Sequence, residues 1–243
     1  GGLKSVRGQD ADPAPAAQGA LTVVMPVLNE AAGIDAALQA LAPVVARGAR
    51  VVVVDGGSRD DTVARAQRRT GVTVLASVRG RARQMNAGAC HAAGSGALLF
   101  LHADTLLPPD ADRLIQQALA SGRVWGRFDV RIKGRPWMLR VVAAAMNARS
   151  RLTGIATGDQ AMFMTRGAFE RVGGFPDQPL MEDIELSKRL RRLGAPACLR
   201  APVSTSGRRW EQRGVWRTIA LMWRLRWAYW RGADPATLAE RYR

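Results

Sequence analysis

The amino-acid sequence predicts an α/β fold, in which a mainly parallel β-sheet is flanked by helices. Short apolar runs alternate with Ala-rich stretches of helical spacing from Leu21 to Leu101. One of these runs, Val51 to Val54, consists of consecutive valines. Such a run suits a strand that is buried on both faces, as the strands of parallel sheets are. The alternation of strand and helix is typical of the crossover connections that join parallel strands.

The elements of the first half follow one another in regular order. We predict strands at 21–27, 51–54, 72–76 and 97–101, separated by helices at 31–46, 60–69 and 81–93. After Asp104 the alternation loosens, and Pro108 and Pro109 mark the start of a further helix. For this second half we predict helices at 110–120, 136–149, 182–193 and 215–230, and strands at 124–132 and 158–164.

The net charge favours an anionic partner. Thirty-six Lys and Arg residues against twenty Asp and Glu residues give +16 at pH 7. Such a charge attracts nucleotide phosphates, nucleic acid or an anionic membrane, although Arg-rich codon usage accounts for part of it. No stretch reaches the ~18 apolar residues of a membrane-spanning helix, and the N-terminus lacks a signal-peptide pattern. We therefore expect a cytoplasmic protein, with peripheral contact at the inner face of the membrane left open.

Polar side chains follow three of the predicted strands at the point where each strand ends. Ligands of parallel α/β sheets bind beyond the carboxyl ends of the strands. The sequence therefore predicts a ligand site that includes Asn29 and Glu30 after the first strand, Asp55 to Ser58 after the second, and His102 to Asp104 after the fourth.

Three strings at these strand ends resemble motifs of the family 2 glycosyltransferases, which have the GT-A fold. They read V-M-P-V-L-N-E at 24–30, V-V-D-G-G-S-R-D-D-T at 53–62 and F-L-H-A-D at 100–104. The acceptor-side motifs of the family are matched by Gly158-Asp159-Gln160, Gly173-Gly174-Phe175 and Glu182-Asp183. The resemblance covers roughly residues 22–210 and is nearest to a small stand-alone bacterial branch with unassigned substrates. It implies an inverting, metal-assisted transfer of a sugar from a nucleotide-diphosphate donor to an acceptor hydroxyl.

The resemblance implies a nucleotide pocket lined by Pro26, Asn29, Glu30, Asp55, Gly56, Arg83 and Ala103. The chemistry of the residues agrees, because a carboxylate at Asp55 can accept hydrogen bonds from a base or a ribose hydroxyl. Gly56 also lets the backbone approach a nucleotide closely. A tight turn at Asp55 is the alternative. Arg83 is preferred over Arg81 as the basic residue, with a solvated loop as the alternative for both.

Asp104 is the predicted metal ligand, and Mn²⁺ or Mg²⁺ is the implied cofactor. A divalent cation held by a carboxylate offsets the charge of a diphosphate leaving group. The family usually has D-x-D here, whereas this chain has His102-Ala103-Asp104, so the first carboxylate is missing. His102 is a second candidate ligand, since Mn²⁺ accepts imidazole. A hydrogen bond from His102 to nearby backbone is the alternative that we favour.

Asp183 is the predicted catalytic base. Inverting transfer needs a carboxylate that takes the proton of the acceptor hydroxyl. The Glu182-Asp183 pair opens a predicted helix, whose dipole favours ionised carboxylates, although simple helix capping is the alternative. Glu182 and the residues Gly158, Asp159 and Gln160 are expected to line the sugar or acceptor pocket, with a turn as the alternative for the last three.

The string Ser206-Gly207-Arg208-Arg209-Trp210 resembles the Q-x-x-R-W motif of processive members of the family. Ser206 replaces the glutamine, which argues against processive synthesis. Arg209 is expected to hold the diphosphate, because guanidinium suits paired phosphate oxygens. Trp210 is assigned to stacking on a sugar or acceptor, with core packing as the alternative.

The predicted C-terminal helix has two repeating faces. Trp216, Trp223, Trp227 and Trp230 fall near one face, and an adjacent face carries Arg217, Arg224 and Arg231. Trp and Arg both favour a membrane surface, which would suit a lipid-linked acceptor. Packing of the Trp face against the rest of the domain is the alternative, and we favour it.

The domain boundaries follow from these assignments. Residues 1–20 hold little that could pack in a core, so we predict a flexible tail there. Residues 21–243 then form one domain, with a nucleotide-sugar half at 21–105, an acceptor and catalytic half at 106–210 and the Trp- and Arg-rich helix at 211–243.

Two competing functions remain beside the glycosyltransferase. A sugar nucleotidyltransferase would carry a Gly-rich basic loop after the first strand, where this chain has P-V-L-N-E at 26–30. A polyanion- or membrane-binding protein would explain the charge but not the acidic residues at the strand ends. We expect a UDP- or GDP-sugar donor, with UDP preferred, an unassigned acceptor, and no specific nucleic-acid partner.

Overall fold

The computed structural model describes residues 19–135, 137–207 and 215–242. Its strands are β1 Leu21–Val27, β2 Arg50–Asp55, β3 Val72–Ala76, β4 Ala97–Phe100, β5 Thr105–Leu106, β6 Trp125–Lys133, β7 Phe163–Thr165 and β8 Ala197–Ser206. Its α-helices are α1 Ile34–Ala40, α2 Ala42–Ala46, α3 Thr62–Gln67, α4 Arg81–His91, α5 Ala111–Ala120, α6 Met138–Thr153, α7 Arg166–Arg171, α8 Glu182–Arg191, α9 Val215–Trp230 and α10 Pro235–Tyr242. A short 3-10 helix spans Gly158–Gln160.

The described strands form one sheet in the order β3-β2-β1-β4-β7-β6-β8-β5. β3, β2, β1 and β4 are mutually parallel, which confirms the α/β class and the parallel first half. The second half is mixed, because β7 runs antiparallel to both β4 and β6 while β8 is parallel to β6. The carboxyl ends of β1, β2 and β4 therefore meet at one edge of the sheet.

Apolar side chains cover both faces of the sheet. Consecutive valines of β1 point to opposite sides, so that Val23 belongs to the apolar cluster of Ile34 in α1 and Val24 to that of Met85 in α4. Gly88 lets α4 lie directly on the strands, since a Cβ there would come within 2.4 Å of Val24 Cγ1. A third cluster holds α9 and α10 against the start of α8 through Met181, Ile184, Leu225 and Leu238.

Two predicted elements are wrong in detail. The helix at 31–46 is divided into α1 and α2, because Pro43 in the first turn of α2 lacks the N–H that a continuous helix needs. The predicted strand at 158–164 begins instead as the 3-10 helix, whose N-terminus is capped by a capping box between Thr157 and Gln160. Only Phe163–Thr165 is extended. The predictions also missed four described elements, namely β5, α7, β8 and α10.

The predicted tail, Arg209 and Trp210 lie outside the described residues, apart from the last two residues of the tail. The predicted division of the chain at residues 105 and 210 stays a prediction. Within the described ranges, no helix combines the length and the apolarity that crossing a membrane would require.

Candidate active site

The loop after β2 is organised around Asp55. The backbone N–H of Gly57 donates to Asp55 Oδ2 at 3.0 Å, and that of Ser58 donates to both carboxylate oxygens, at 3.1 and 3.0 Å. Gly57 has a φ of +97°, a left-handed conformation that glycine adopts without strain. The tight turn that we considered as the alternative for Asp55 is therefore present. The Asp55 carboxylate stabilises this turn at the carboxyl end of a buried strand. Its contact with a nucleotide stays a prediction.

The loops after β1 and β2 are bonded into one unit. Asn29 accepts a hydrogen bond at Oδ1 from the backbone of Arg59 at 2.8 Å, and its own N–H donates to Ser58 Oγ at 2.9 Å. The N–H of Glu30 donates to Thr62 Oγ1 at 2.8 Å. Two of the predicted nucleotide-binding segments are thus held side by side at one edge of the sheet.

Gln84 of α4 is hydrogen-bonded to the ends of both strands that precede these loops, a role that the sequence motifs did not predict. Its Nε2 donates to the backbone carbonyl of Val27 at 2.9 Å and to that of Val54 at 2.8 Å. A Cβ on Gly56 would lie only 2.8 Å from Gln84 Oε1, so a larger residue there would displace the Gln84 amide. A lone amide on the buried face of α4, beside Met85, was the signal that could have revealed it.

Asn86, on the same helix, fixes the Gly173-Gly174-Phe175 motif. Its side-chain amide donates to the carbonyl of Phe175 at 2.8 Å and accepts from the N–H of Phe175 at 2.9 Å. Gly174 has a φ of +70° and lies against Asn86 Oδ1. This pairing places the Phe175 ring against Phe100 at the end of β4, in an edge-on contact with centroids 4.8 Å apart.

The segment after β4 carries the predicted metal ligands. Asp104 is exposed, and its Oδ1 accepts a hydrogen bond from Thr105 Oγ1 at 3.3 Å. His102 is mostly buried, with its Nδ1 3.5 Å from Asp159 Oδ1. Its ring packs so closely on Gly158 that a Cβ there would lie 2.5 Å from His102 Cε1. No three His, Cys, Asp or Glu side chains of the described ranges are arranged to hold a metal by themselves.

Asp183 lies beside the same segment, at the N-terminus of α8. The backbone N–H of Gly158 donates to Asp183 Oδ2 at 2.6 Å, and that of Ile184 donates to Oδ1 at 2.8 Å. Because Gly158 also contacts His102, this hydrogen bond joins the start of α8 to the end of β4. A small cavity lies between these elements, lined by Met85, Phe100, His102, Gly158, Met162, Phe175, Glu182 and Asp183.

Glu182 differs from its neighbour in being almost completely buried. Burial raises the pKa of the Glu182 carboxyl above its ordinary value, and the negative charge of Asp183 raises the pKa further. The guanidinium of Arg81, 3.5 Å away, acts in the opposite direction. Of this acidic pair, Asp183 is the member that is more open to solvent.

The other predicted site residues range from the protein surface to the buried interior. Arg83 forms an ion pair with Asp177 at 2.8 Å at the surface, whereas Arg81 reaches Glu182. Gln160 is fully buried, and its Oε1 accepts the N–H of Thr157 at 3.2 Å. Pro26 is half-buried in β1, and Ala103 is buried.

The left-handed backbone positions of the described residues also point to this edge. Three residues other than glycine have a positive φ, namely Asn29 at 55°, Ala161 at 50° and Met181 at 63°. Each directly adjoins or belongs to a predicted site segment. Such conformations are uncommon outside glycine and concentrate at functional sites.

The C-terminal helix α9 turns its tryptophans outward. Trp223, Trp227 and Trp230 are 75%, 59% and 80% exposed, so packing of this face against the domain is wrong for them. The physical reason is that Leu225, with Leu221, Ala228 and Tyr229 around it, supplies the packed face instead. The side chain of Trp216 lies outside the described residues.

Comparisons with known proteins identify the relatives of this chain. The family model described as glycosyl transferase family 2 matches residues 22–173. The succinoglycan biosynthesis protein ExoA of Rhizobium meliloti (strain 1021) is 30% identical over 192 residues, which are 71% of this chain and 58% of ExoA.

Solved structures share the fold. The mannosyltransferase PcManGT from Pyrobaculum calidifontis, in complex with GDP-Man and Mn²⁺, has a TM-score of 0.64 and 25% identity over 91% of this chain and 64% of its own. Glucosyl-3-phosphoglycerate synthase from Mycobacterium tuberculosis, in complex with Mn²⁺, UDP and glucosyl-3-phosphoglycerate, has a TM-score of 0.57 and 20% identity over 83% of this chain and 78% of its own.

The chain spans less than two thirds of the length of ExoA and of PcManGT. The family model, however, covers more than half of the chain and includes the strings at the ends of β1, β2 and β4. The predicted GT-A fold is confirmed by the structural neighbours. The chain therefore belongs to glycosyl transferase family 2.

Proposed function

We propose that this chain transfers a sugar, with inversion, from a nucleotide-diphosphate donor to an acceptor hydroxyl. The observation that carries the proposal is the hydrogen bond from Gly158 to Asp183, next to His102. It brings a carboxylate from the acceptor half to the strand edge that carries Asp55 and Asp104. The family membership argues against the nucleotidyltransferase alternative.

Asp183 is the base in this proposal. Its carboxylate takes the proton of the acceptor hydroxyl while the acceptor oxygen bonds to the anomeric carbon and the nucleoside diphosphate leaves. The N–H groups of Gly158 and Ile184 fix the orientation of the carboxylate. Glu182 is almost completely buried, and burial raises the pKa of its carboxyl, so we assign the role of base to Asp183 rather than to Glu182.

Asp104 fits a divalent cation. The cation is commonly held by one or two carboxylates together with substrate phosphates, and Asp104 offers one exposed carboxylate at the end of β4. When bound, Mn²⁺ or Mg²⁺ would offset the charge of the diphosphate leaving group. His102 fits this role less well, because its Nδ1 faces Asp159. The complexes of PcManGT and of the mycobacterial synthase with Mn²⁺ support a metal-assisted reaction.

The donor is a UDP- or GDP-sugar in this proposal, with UDP preferred. We assign its nucleotide to the joined loops that carry Asn29 and Asp55. PcManGT binds GDP-Man and the mycobacterial synthase binds UDP, so the relatives support both bases.

Thermal unfolding with UDP and with GDP, each with and without Mn²⁺, tests the donor site. We expect one nucleotide to raise the Tm only with Mn²⁺, by roughly 5–11 °C at a hundredfold excess over Kd. Asp104→Asn should abolish this shift, whereas Asp183→Asn and the surface control Asp110→Asn should keep it. A flat response from the intact wild-type protein that still binds polyanions would instead favour the charge-driven binder.

A second proposal concerns the outer face of α9. We propose that Trp223, Trp227 and Trp230 insert at the surface of an anionic membrane, where tryptophan favours the interface. Exposed Arg224 and Arg231 supply the charge that attracts anionic lipid. A lipid-linked acceptor and a peripheral position at the inner membrane face would both suit this surface.

Co-sedimentation with phosphatidylcholine vesicles, with and without phosphatidylglycerol, tests the membrane contact. We expect binding to the anionic vesicles alone, and a loss of at least about tenfold in Trp223→Ser/Trp227→Ser. The matched control is Trp137→Ser, which removes an exposed tryptophan at the N-cap of α6. Equal binding by the double variant and the wild type would contradict the proposal.

A further inference from the structure

Two arginines outside the predicted site lie beside Asp183 with unused hydrogen-bond donors. Arg149 belongs to α6 and Arg226 to α9. Nε and Nη2 of Arg149 and Nε of Arg226 are shielded from solvent and have no hydrogen-bond partner among the described residues. Within the part of the chain that the structure describes, neither guanidinium forms an ion pair with a carboxylate.

The packing of α9 explains why these residues meet. Leu225 is buried against Met181 and Ile184, which flank the acidic pair at the start of α8. Its neighbour Arg226 is therefore held within electrostatic reach of Asp183 and Asp159. Arg149 approaches the same place from α6, where the following residue, Ser150, is completely buried.

The electrostatic balance at this place is incomplete. Burial, together with the positive charge of Arg226, lowers the pKa of Arg149 to about 10, although the negative charge of Asp183 acts in the opposite direction. Burial also lowers the pKa of Arg226, which the carboxylates of Asp183 and Asp159 only partly offset. Arg127 differs from these two arginines, because it is fully buried and its guanidinium forms an ion pair with the carboxylate of Asp129.

Buried charges in proteins are normally paired, because an unpaired one loses its hydration without compensation. Two adjacent guanidinium groups with unused donors therefore fit an anion that the protein binds. Guanidinium presents its donors in a fork that matches two phosphate oxygens. The position is also specific, since both groups lie within electrostatic reach of Asp183, the carboxylate to which we assign the acceptor proton.

We propose that Arg149 and Arg226 bind a phosphate-class anion carried by the acceptor, next to Asp183. The anion site rests on the geometry of the two arginines alone, whereas its assignment to the acceptor rests on the proposed function. The diphosphate of the donor has the same chemistry, so the two sources must be separated by experiment.

Isothermal titration of the full chain with inorganic phosphate tests the site. We expect Arg149→Gln and Arg226→Gln each to weaken phosphate binding by at least about tenfold, the loss typical of one charged hydrogen bond. Arg224→Gln is the matched control, because Arg224 is exposed on the same helix. Arg149→Lys, which keeps the charge but not the fork, should give an intermediate loss if Gln at this position prevents folding.

A second titration in saturating UDP and Mn²⁺ identifies the source of the anion. Phosphate that still binds beside the nucleotide supports the acceptor assignment, whereas displacement by UDP assigns the arginines to the donor and overturns it. No phosphate binding by the wild type, or equal binding by the Gln variants, overturns the site itself. If phosphate binds through the arginines but no nucleotide binds, the anion site stands and the proposed transferase function fails.

Discussion

Replacing Gln84 by methionine tests how the carboxyl edge of the sheet is held. Methionine has a similar length but no amide, so the substitution removes the hydrogen bonds to the carbonyls of Val27 and Val54. Gln84 is only 4% exposed, so water cannot easily replace it. Each lost bond costs about 1 kcal/mol, and a buried carbonyl left unsatisfied costs about 1–3 kcal/mol. Val27 keeps the N–H of Gly56 as a partner at 3.0 Å, which limits the penalty there.

We therefore expect the free energy of unfolding to fall by about 2–4 kcal/mol in Gln84→Met. The Tm should fall by roughly 4–16 °C, at 2–4 °C per kcal/mol for a chain of this length. Urea denaturation followed by circular dichroism measures the change. The control is Gln116→Met, which alters an exposed glutamine of α5 and should change stability by less than about 0.5 kcal/mol. A loss in Gln84→Met no larger than that of the control would refute the structural role of the amide.

Two further predictions concern Glu182 and Gly158, which adjoin Asp183. Because folding raises the pKa of Glu182 above the ordinary 4.5, the contribution of this carboxyl to stability is fully present below pH 4.5 and is lost as the pH rises through the raised pKa. Glu182→Gln should remove this decline, which is at most about 1.4 kcal/mol per pH unit, and urea denaturation at a series of pH values measures it. Gly158→Ala should cost about 1–3 kcal/mol, because the new Cβ would lie 2.5 Å from His102 Cε1, and it should also weaken the Mn²⁺-dependent binding of the nucleotide.

Matched controls separate these effects from general damage. Glu170→Gln changes an exposed glutamate of α7 and should leave the pH profile of the wild type intact. Gly167→Ala adds a Cβ that meets no atom within 4 Å, so it should be neutral or stabilise α7 by up to about 1 kcal/mol. A pH profile in Glu182→Gln that still falls like that of the wild type would contradict the first prediction. Normal stability in Gly158→Ala would contradict the second.

The sequence by itself determined the fold of the first half and the positions of its polar loops. The spacing of the valines and the regular alternation with helices predict β1 to β4 to within one residue at each end, because buried parallel strands leave a strong local pattern. The motifs at the ends of β1, β2 and β4 predicted the family, which the family model confirms. β8 was missed because its mixed polar sequence, with Pro202 inside it, carries no such pattern.

Only the tertiary structure decided which distant side chains meet. Gln84 gives no local sign of the carbonyls it joins, and nothing in the spacing of α9 indicates that its leucines rather than its tryptophans face the domain. Arg149 and Arg226 lie on helices far apart in the chain, and each reads as an ordinary surface arginine. Periodicity reports which side of one element is apolar, whereas the contact of two elements depends on packing between residues that the chain places far apart. The meeting of Arg149 and Arg226 near Asp183 is therefore a property of the folded molecule alone.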